Sequence, residues 1–261
     1  MISNNSETYL ILGIGTDIGK TFVIEKLLQK YPQAKAIKPI ATGFSVEDFT
    51  SDTMKILKAL QNNNYDFERE KNHFKITLAQ ENYFQLISPF VFAKPTSPNL
   101  VADISYSKLL DFCFSQINFA KKNNFNLFIE SAGGVMTPIN NQKTFLDLAK
   151  DLKVKIILVS SNYLGAISHT LTAIESLIKN NQTIDFLIIN DELYNHQKIT
   201  NTHHNNCLTP QANLKINSNQ NPLINSFNNY PNLTFEEISS SIKNFYNDLQ
   251  IISLKSNNFL I

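Results

Sequence analysis

Leu10-Ile11-Leu12-Gly13-Ile14-Gly15-Thr16-Asp17-Ile18-Gly19-Lys20-Thr21 is the stretch on which the reading of this chain turns. Leu10-Ile11-Leu12 belongs to a short apolar run of the kind that forms a strand buried on both faces. Beyond the glycines, Lys20–Gln29 has the pattern of an amphipathic helix. Strand, glycine turn and helix together collect backbone N–H groups and a helix N-terminus around phosphate oxygens. In such a turn Gly19 allows close backbone approach, Lys20 supplies a point charge and the Thr21 hydroxyl ligates Mg2+. The general pattern places four residues between its two glycines, whereas five separate Gly13 from Gly19 here. The competing reading, a glycine turn before a helix that merely begins Lys-Thr, is opposed by the strand before it and the helix after it.

Outward from this loop, short apolar runs alternate with longer helical patterns. Tyr9–Leu12, Ala34–Lys38, Leu127–Glu130, Lys155–Ser160 and Phe186–Asn190 read as buried strands. Lys20–Gln29, Ser107–Lys121, Thr144–Asp151 and Ala166–Lys179 read as helices; in the last, Ile167, Leu171, Ile174, Leu177 and Ile178 recur at helical spacing. This alternation predicts a three-layer α/β/α fold with a mostly parallel sheet and sites at the carboxyl ends of its strands. No internal repeat or domain boundary interrupts it, so residues 1–261 are expected to form one domain. Two stretches break the rhythm. Gln61–Gln85 is expected to cover a helix and loop without clear period, and the asparagine-dense Asn195–Pro231 to be irregular surface.

Composition narrows the function classes. Of 261 residues, 43% are hydrophobic and 17% charged, ordinary for a folded domain, and the formal net charge is +1. A nucleic-acid or membrane-surface partner needs a concentrated basic field, so neither is expected. Cys113 and Cys207 cannot make a disulfide framework, and Cys113, inside the apolar run Leu109–Phe114, reads as a small buried hydrophobe. The opening residues lack a cationic n-region, and no run approaches the roughly 18 apolar residues of a membrane span. A cytoplasmic protein is the expectation.

Two further strand ends carry charge. Lys38 ends the second strand, where its ammonium should reach the crevice beside the glycine loop; alone, a solvated strand-end lysine is the simpler reading. Glu130 ends the strand Leu127–Glu130 before a glycine-containing turn, a place from which a carboxylate can hold Mg2+ directly or through water. A buried glutamate must be answered by a cation or by hydrogen-bond donors. Asp52, after Ser51, is an acid at a plausible helix N-cap and by itself a weak signal.

Taken in order, Gly13–Thr21, Lys38-Pro39-Ile40-Ala41-Thr42-Gly43, Lys94-Pro95-Thr96-Ser97-Pro98 and Glu130-Ser131-Ala132-Gly133-Gly134 resemble the dethiobiotin synthetase family, whose pattern reads GTDTxxGKT, KPxxSG, PxSPH and EGAGG. Thr137-Pro138-Ile139, Leu164-Gly165-Ala166-Ile167-Ser168-His169 and Ile189-Asn190-Asp191 look like its TPL, LGxxNH and xND segments. The similarity runs from about residue 9 to residue 191, and the order and spacing of its pieces make it specific.

The resemblance implies an ATP- and Mg2+-dependent cyclo-ligase that builds a cyclic urea from 7,8-diaminononanoate and CO2 or bicarbonate. It implies that Lys20 bridges phosphates, that Lys38 offsets charge on the carbamate and the transferring phosphoryl group, and that Thr21, Asp52 and Glu130 surround Mg2+. Thr16, matched to a family threonine, joins the two lysines as a catalytic candidate. Gly15, Thr16, Asp17, Ile18 and Gly19 would line the triphosphate, and Asn190 would read the adenine edge. Thr42, in place of the family's serine, and Gly133 would face the substrate. The family forms homodimers in which a helix N-terminus of the partner subunit holds the substrate carboxylate; here that is the turn Tyr163–Ser168, with Gly165, Ala166 and Ser168.

Departures are few. Ser131 replaces a glycine and would add a side chain beside the carbamate. Asn99 stands where the family has its histidine, Ser168 where it has an asparagine, and beyond Asp191 the GxIP segment has at best a counterpart in Asn213-Leu214-Lys215-Ile216. His203 and His204 read as solvated loop, since no second ligand pair stands at metal spacing. Other readings stay in view. A cobyrinate-type amide ligase would need a cysteine-based glutaminase domain. A partition-type nucleotide-switch ATPase would carry a lysine four residues before the second glycine, where this chain has Gly15. A catalytically inactive nucleotide-binding homologue is opposed by the joint retention of Lys20, Thr21, Lys38, Asp52 and Glu130.

Overall fold

The computed structural model describes residues 6–191 and 233–254. Its centre is a sheet whose described strands run in the order β2 (Lys35–Ile37), β5 (Leu127–Gly134), β1 (Thr8–Gly13), β6 (Lys155–Ser161), β7 (Phe186–Asn190) and β8 (Ile251–Ser253), every pairing parallel. All six residues of β1 are buried, as a continuous apolar run flanked by strands on both sides requires. Successive side chains of a strand point to opposite faces. Tyr9 and Ile11 accordingly meet α1 (Lys20–Lys30) and α2 (Asp52–Asn62), through Ile24, Leu27, Ile56 and Leu60. Leu10 and Leu12 meet the opposite layer, which holds α4 (Tyr106–Lys122), α5 (Phe145–Leu152), α6 (Ala166–Lys179) and α7 (Phe235–Lys243). The three-layer α/β/α fold expected from the sequence is the fold observed.

The five strands and four helices read from the sequence are all present, with ends shifted by at most one residue except in β5, which runs four residues past the expected end at Glu130. Thr144 caps α5 through a reciprocal capping box with Asp147. The helix and loop expected between positions 61 and 85 are present. Gln61–Gln85 holds the end of α2, the short helix α3 (Phe67–Phe74) and most of a 3-10 turn at Gln80–Leu86. The tail contributes α7 and β8, and Tyr246 donates to Glu175 at 2.8 Å, tying it to α6. A second, two-stranded parallel sheet pairs β3 (Ile40–Thr42) with β4 (Phe90–Phe92). It arises because the chain leaves the main sheet at Lys38-Pro39, where proline has no N–H to continue a ladder. The expected irregular stretch at 195–231, the histidines at 203 and 204 and residues 213–216 lie outside the described residues. Among the described residues, no helix is long and apolar enough to cross a membrane.

Candidate active site

A cavity of about 910 Å3 opens where β1, β2 and β5 end. The glycine loop forms its floor. Asp17 and Gly19 adopt left-handed backbone, with φ of 54° and 86°, and Gly19 begins α1 with no side-chain cap, leaving its first N–H groups for a ligand. Lys20 is buried and folds back to donate to the Gly15 carbonyl at 2.8 Å. Burial pulls its ammonium down to about 8, with Glu130 opposing that pull and Lys38 adding to it. A Cβ at Gly15 would meet nothing within 4 Å, so the loop leaves open space at the position where partition-type ATPases carry their lysine.

Opposite the loop stand three charged groups from three elements. Lys38 is 7% exposed, so it is not the solvated strand-end lysine of the simpler reading. Its ammonium donates to Glu130 Oε1 at 2.8 Å and forms an ion pair with Asp52. Burial would lower its pKa, but Glu130 and Asp52 outweigh that and raise it. Asp52 opens α2, yet the N-cap is Ser51, in extended backbone and without a capping bond from its side chain. The expectation of a capping acid is corrected: the Asp52 carboxylate is drawn to Lys38 instead. Burial would raise the Asp52 pKa; Lys38 and the Thr21 hydroxyl hold it below the usual carboxylate range.

Glu130 is 1% exposed, and its Oε1 also accepts from the Thr21 hydroxyl at 2.9 Å. Its Oε2 is buried with no hydrogen-bond partner in the protein. Leaving such an oxygen unanswered costs about 1–3 kcal/mol, more for a charged group. Thr21, Asp52 and Glu130 thus present an all-oxygen donor set with an unspent buried lone pair, which suits a hard divalent cation. Among the described residues no cluster of three or more histidine, cysteine or carboxylate side chains could hold a metal by itself. Two carboxylates and a hydroxyl are a set that Mg2+ accepts when phosphates and waters complete its shell.

The remaining walls come from three loops. Thr42 faces Pro95-Thr96-Ser97-Pro98 across the cavity. The two segments are joined by the Gly43 N–H donating to the Lys94 carbonyl at 3.2 Å. Asn99 accepts from the Ser97 hydroxyl at 2.7 Å. Gly133 has φ +74°, and the Gly134 N–H donates to the Thr137 hydroxyl at 2.8 Å. Thr16, Asp17, Gly19, Lys20, Thr21, Lys38, Thr42, Asp52, Glu130 and Gly133 all line the cavity, as expected from the sequence.

Other expected positions lie elsewhere. Ile18 is buried beneath the loop. Asn190 is fully buried, and its side-chain amide donates to the Ile18 carbonyl at 3.2 Å. Gly165 caps α6 in left-handed backbone, Ala166 is buried and Ser168 is exposed, all outside the cavity. Ser131 corrects another expectation. Because β5 continues to Gly134, Ser131 points to the face opposite Glu130; its hydroxyl is fully buried and does not line the cavity. The structure adds Phe22, Glu25, Lys55 and Pro138 to the lining. Glu25 follows Thr21 by four residues and Lys55 follows Asp52 by three, so helical spacing from the chosen residues already pointed to both.

Residues 7–212 match the family model described as an AAA domain. The chain is 36% identical to the ATP-dependent dethiobiotin synthetase BioD of Legionella pneumophila (strain Paris), over 65% of this chain and 73% of that one. It is 33% identical to the protein of the same name from Francisella tularensis subsp. novicida, over 66% of this chain and 72% of that one. The Methylobacterium nodulans protein of that name is 32% identical, over 65% and 74%. Among solved structures, the MinC:MinD cell division complex of Aquifex aeolicus aligns at a TM-score of 0.43 and 11% identity, over 94% of this chain and 79% of that one.

Proposed function

The chain belongs to the dethiobiotin synthetase family, ATP-dependent ligases of biotin biosynthesis, and we propose that it performs the cyclo-ligation in full, from 7,8-diaminononanoate and CO2. One amine of the substrate adds to CO2 and loses a proton, giving a carbamate. A carbamate oxygen takes the γ-phosphoryl group of ATP, and ADP departs. The second amine then attacks the carbamoyl carbon, closing the cyclic urea and releasing phosphate and a proton.

The charged and loop residues of the cavity have tasks in this scheme. The loop from Gly15 to Lys20 holds the triphosphate, and Lys20 places a cation on it. Lys38 and Thr16 face the reacting centre, Lys38 offsetting negative charge on the carbamate and on the phosphoryl group in transit. Thr21, Asp52 and Glu130 would hold Mg2+, which when bound neutralises charge on the phosphates. Gly133 and Thr42 orient the carbamate by their place in the wall. Asn190, tied to the loop at Ile18, serves the adenine side. In the turn Tyr163–Ser168, Leu164, Gly165 and Ser168 are exposed and suit contact with a second copy of the chain; a homodimer working in the cytoplasm is part of the reading, with residues 1–261 as a single domain.

The observation that carries this reading is the convergence of Lys20, Thr21, Lys38, Asp52 and Glu130, spread over more than a hundred positions, on one cavity. The test is incorporation of labelled bicarbonate into a product that requires ATP, Mg2+ and diaminononanoate together. Folded protein that forms no such product overturns the proposal.

A further inference from the structure

Lys38 stands in two roles at once. The proposed chemistry needs its ammonium at the substrate, yet that ammonium donates to Glu130 Oε1 at 2.8 Å and pairs with Asp52. Those are two of the three side chains suited to a divalent cation, and the third, Thr21, donates to the same Oε1. Mg2+ binds its oxygens at about 2.0–2.1 Å. A divalent ion and an ammonium on the same two carboxylates would repel, most strongly beside the buried Glu130. Glu130 Oε1, already shared by Lys38 and Thr21, cannot serve both cations fully.

The surroundings decide which group yields. The backbone of Lys38 is fixed: its N–H donates to the Ile87 carbonyl at 3.2 Å, and its carbonyl accepts from the Ser88 hydroxyl at 2.6 Å. Asp52 and Glu130 are likewise held, by the first turn of α2 and by a central strand. The four-carbon stem of the lysine has the longest reach of the three side chains, and the cavity that it lines gives it somewhere to go. A divalent cation taking over the carboxylates would also meet Glu130 Oε2, which has no partner. We propose that Lys38 and a divalent cation are alternative partners of Asp52 and Glu130, so that loading the metal site turns the Lys38 ammonium out toward the substrate. The inference rests on the cyclo-ligase reading for what Lys38 then meets, but not for the exchange itself. It gives the site an order: the lysine stays committed to the acids until the cation that accompanies ATP has arrived.

Two measurements test it. In the first, Mn2+ binding is compared by electron paramagnetic resonance in the wild-type protein and Lys38→Met, with a non-hydrolysable ATP analogue present. Removing the competitor should tighten Mn2+ binding about tenfold; unchanged or weaker binding overturns the proposal. The second uses the wild-type protein, so it survives a variant that fails to fold, and it separates exchange from repulsion in place. Acetylation of individual lysines is followed by mass spectrometry with chelator and with saturating Mn2+. Lys38 should become several-fold more reactive with Mn2+ while Lys35, fully buried beneath the sheet edge, stays unlabelled. A Lys38 signal that does not rise, or falls, overturns the exchange. Neither measurement involves the diamine, so an inactive ligase and a failed exchange are told apart.

Discussion

The Thr21 hydroxyl donates to Glu130 Oε1 at 2.9 Å across 109 positions of sequence. This one bond joins the first turn of α1 to the middle of β5 and places a hydroxyl and a carboxylate side by side within the crevice. Glu130→Gln preserves shape and removes charge. It should lower Mg2+-dependent kcat at least about 100-fold, while nucleotide affinity measured in chelator stays within a few-fold. Equal losses in both would mean that Glu130 shapes the pocket rather than serving the cation.

Lys20 titrates near the physiological range because it is buried. Its value in the fold, about 8, lies below the 10.5 of an exposed lysine. The folded chain therefore binds fewer protons than the unfolded one between those two pH values, and the cost of burying this cation is relieved as pH rises through that window. A phosphate placed on Lys20 restores its proton. Nucleotide binding at pH 8 should therefore take up about half a proton at this site, and affinity should weaken from pH 7 to pH 9. Calorimetry in buffers of differing ionisation enthalpy reads the uptake, and Lys20→Met should abolish it.

Away from the site, Lys35 of β2 and Glu70 of α3 form a fully buried ion pair. Gln116 accepts from Lys35 at 2.6 Å and donates to Glu70 at 3.0 Å, and Tyr65 donates to Glu70 at 3.0 Å. Burial lowers the Lys35 pKa against the pull of Glu70. Breaking such a pair strands a charge. Glu70→Gln or Lys35→Met alone should cost about 3–5 kcal/mol of stability, read by urea unfolding. Lys35→Met with Glu70→Leu should cost clearly less than the two single losses summed.

Gly133 holds φ +74°, and an added Cβ would stand 2.4 Å from the Thr137 hydroxyl oxygen that accepts from the Gly134 N–H. Gly133→Ala should destabilise by about 1–3 kcal/mol and reduce kcat more than it raises KM for ATP. Adding Thr137→Ser removes part of the clash but none of the backbone strain, so the double variant should recover only part of the stability.

Burial pushes the Cys113 thiol up to about 12, so it stays protonated and unreactive at neutral pH. Peptide mapping after iodoacetamide treatment should find Cys113 unmodified in native protein and fully modified in urea. Native modification would mean that α4 opens far more readily than its packing implies.

Local pattern was enough for much of this molecule. The glycine loop, the five strands read from apolar runs and the four helices read from their period depend on residues close in sequence, and all but the far end of β5 reappear within one residue of the expected ends. So does the short list of chemical groups, since a lysine, a hydroxyl and two acids at strand and helix ends are visible without a fold. Meetings between distant residues were not visible. Nothing near Asp52 says that its partner is Lys38 rather than its own helix end, and nothing near Ser131 says that β5 continues far enough to turn it away from the cavity. β3, β4 and β8 are three residues each, too short to show a period, and they exist because a neighbouring strand offers its edge. The buried pair of Lys35 and Glu70 exists only because α3 is laid against β2. Backbone period is a property of neighbours along the chain, whereas ion pairing, burial and the sharing of one carboxylate by Thr21 and Lys38 are set by distances that only packing creates.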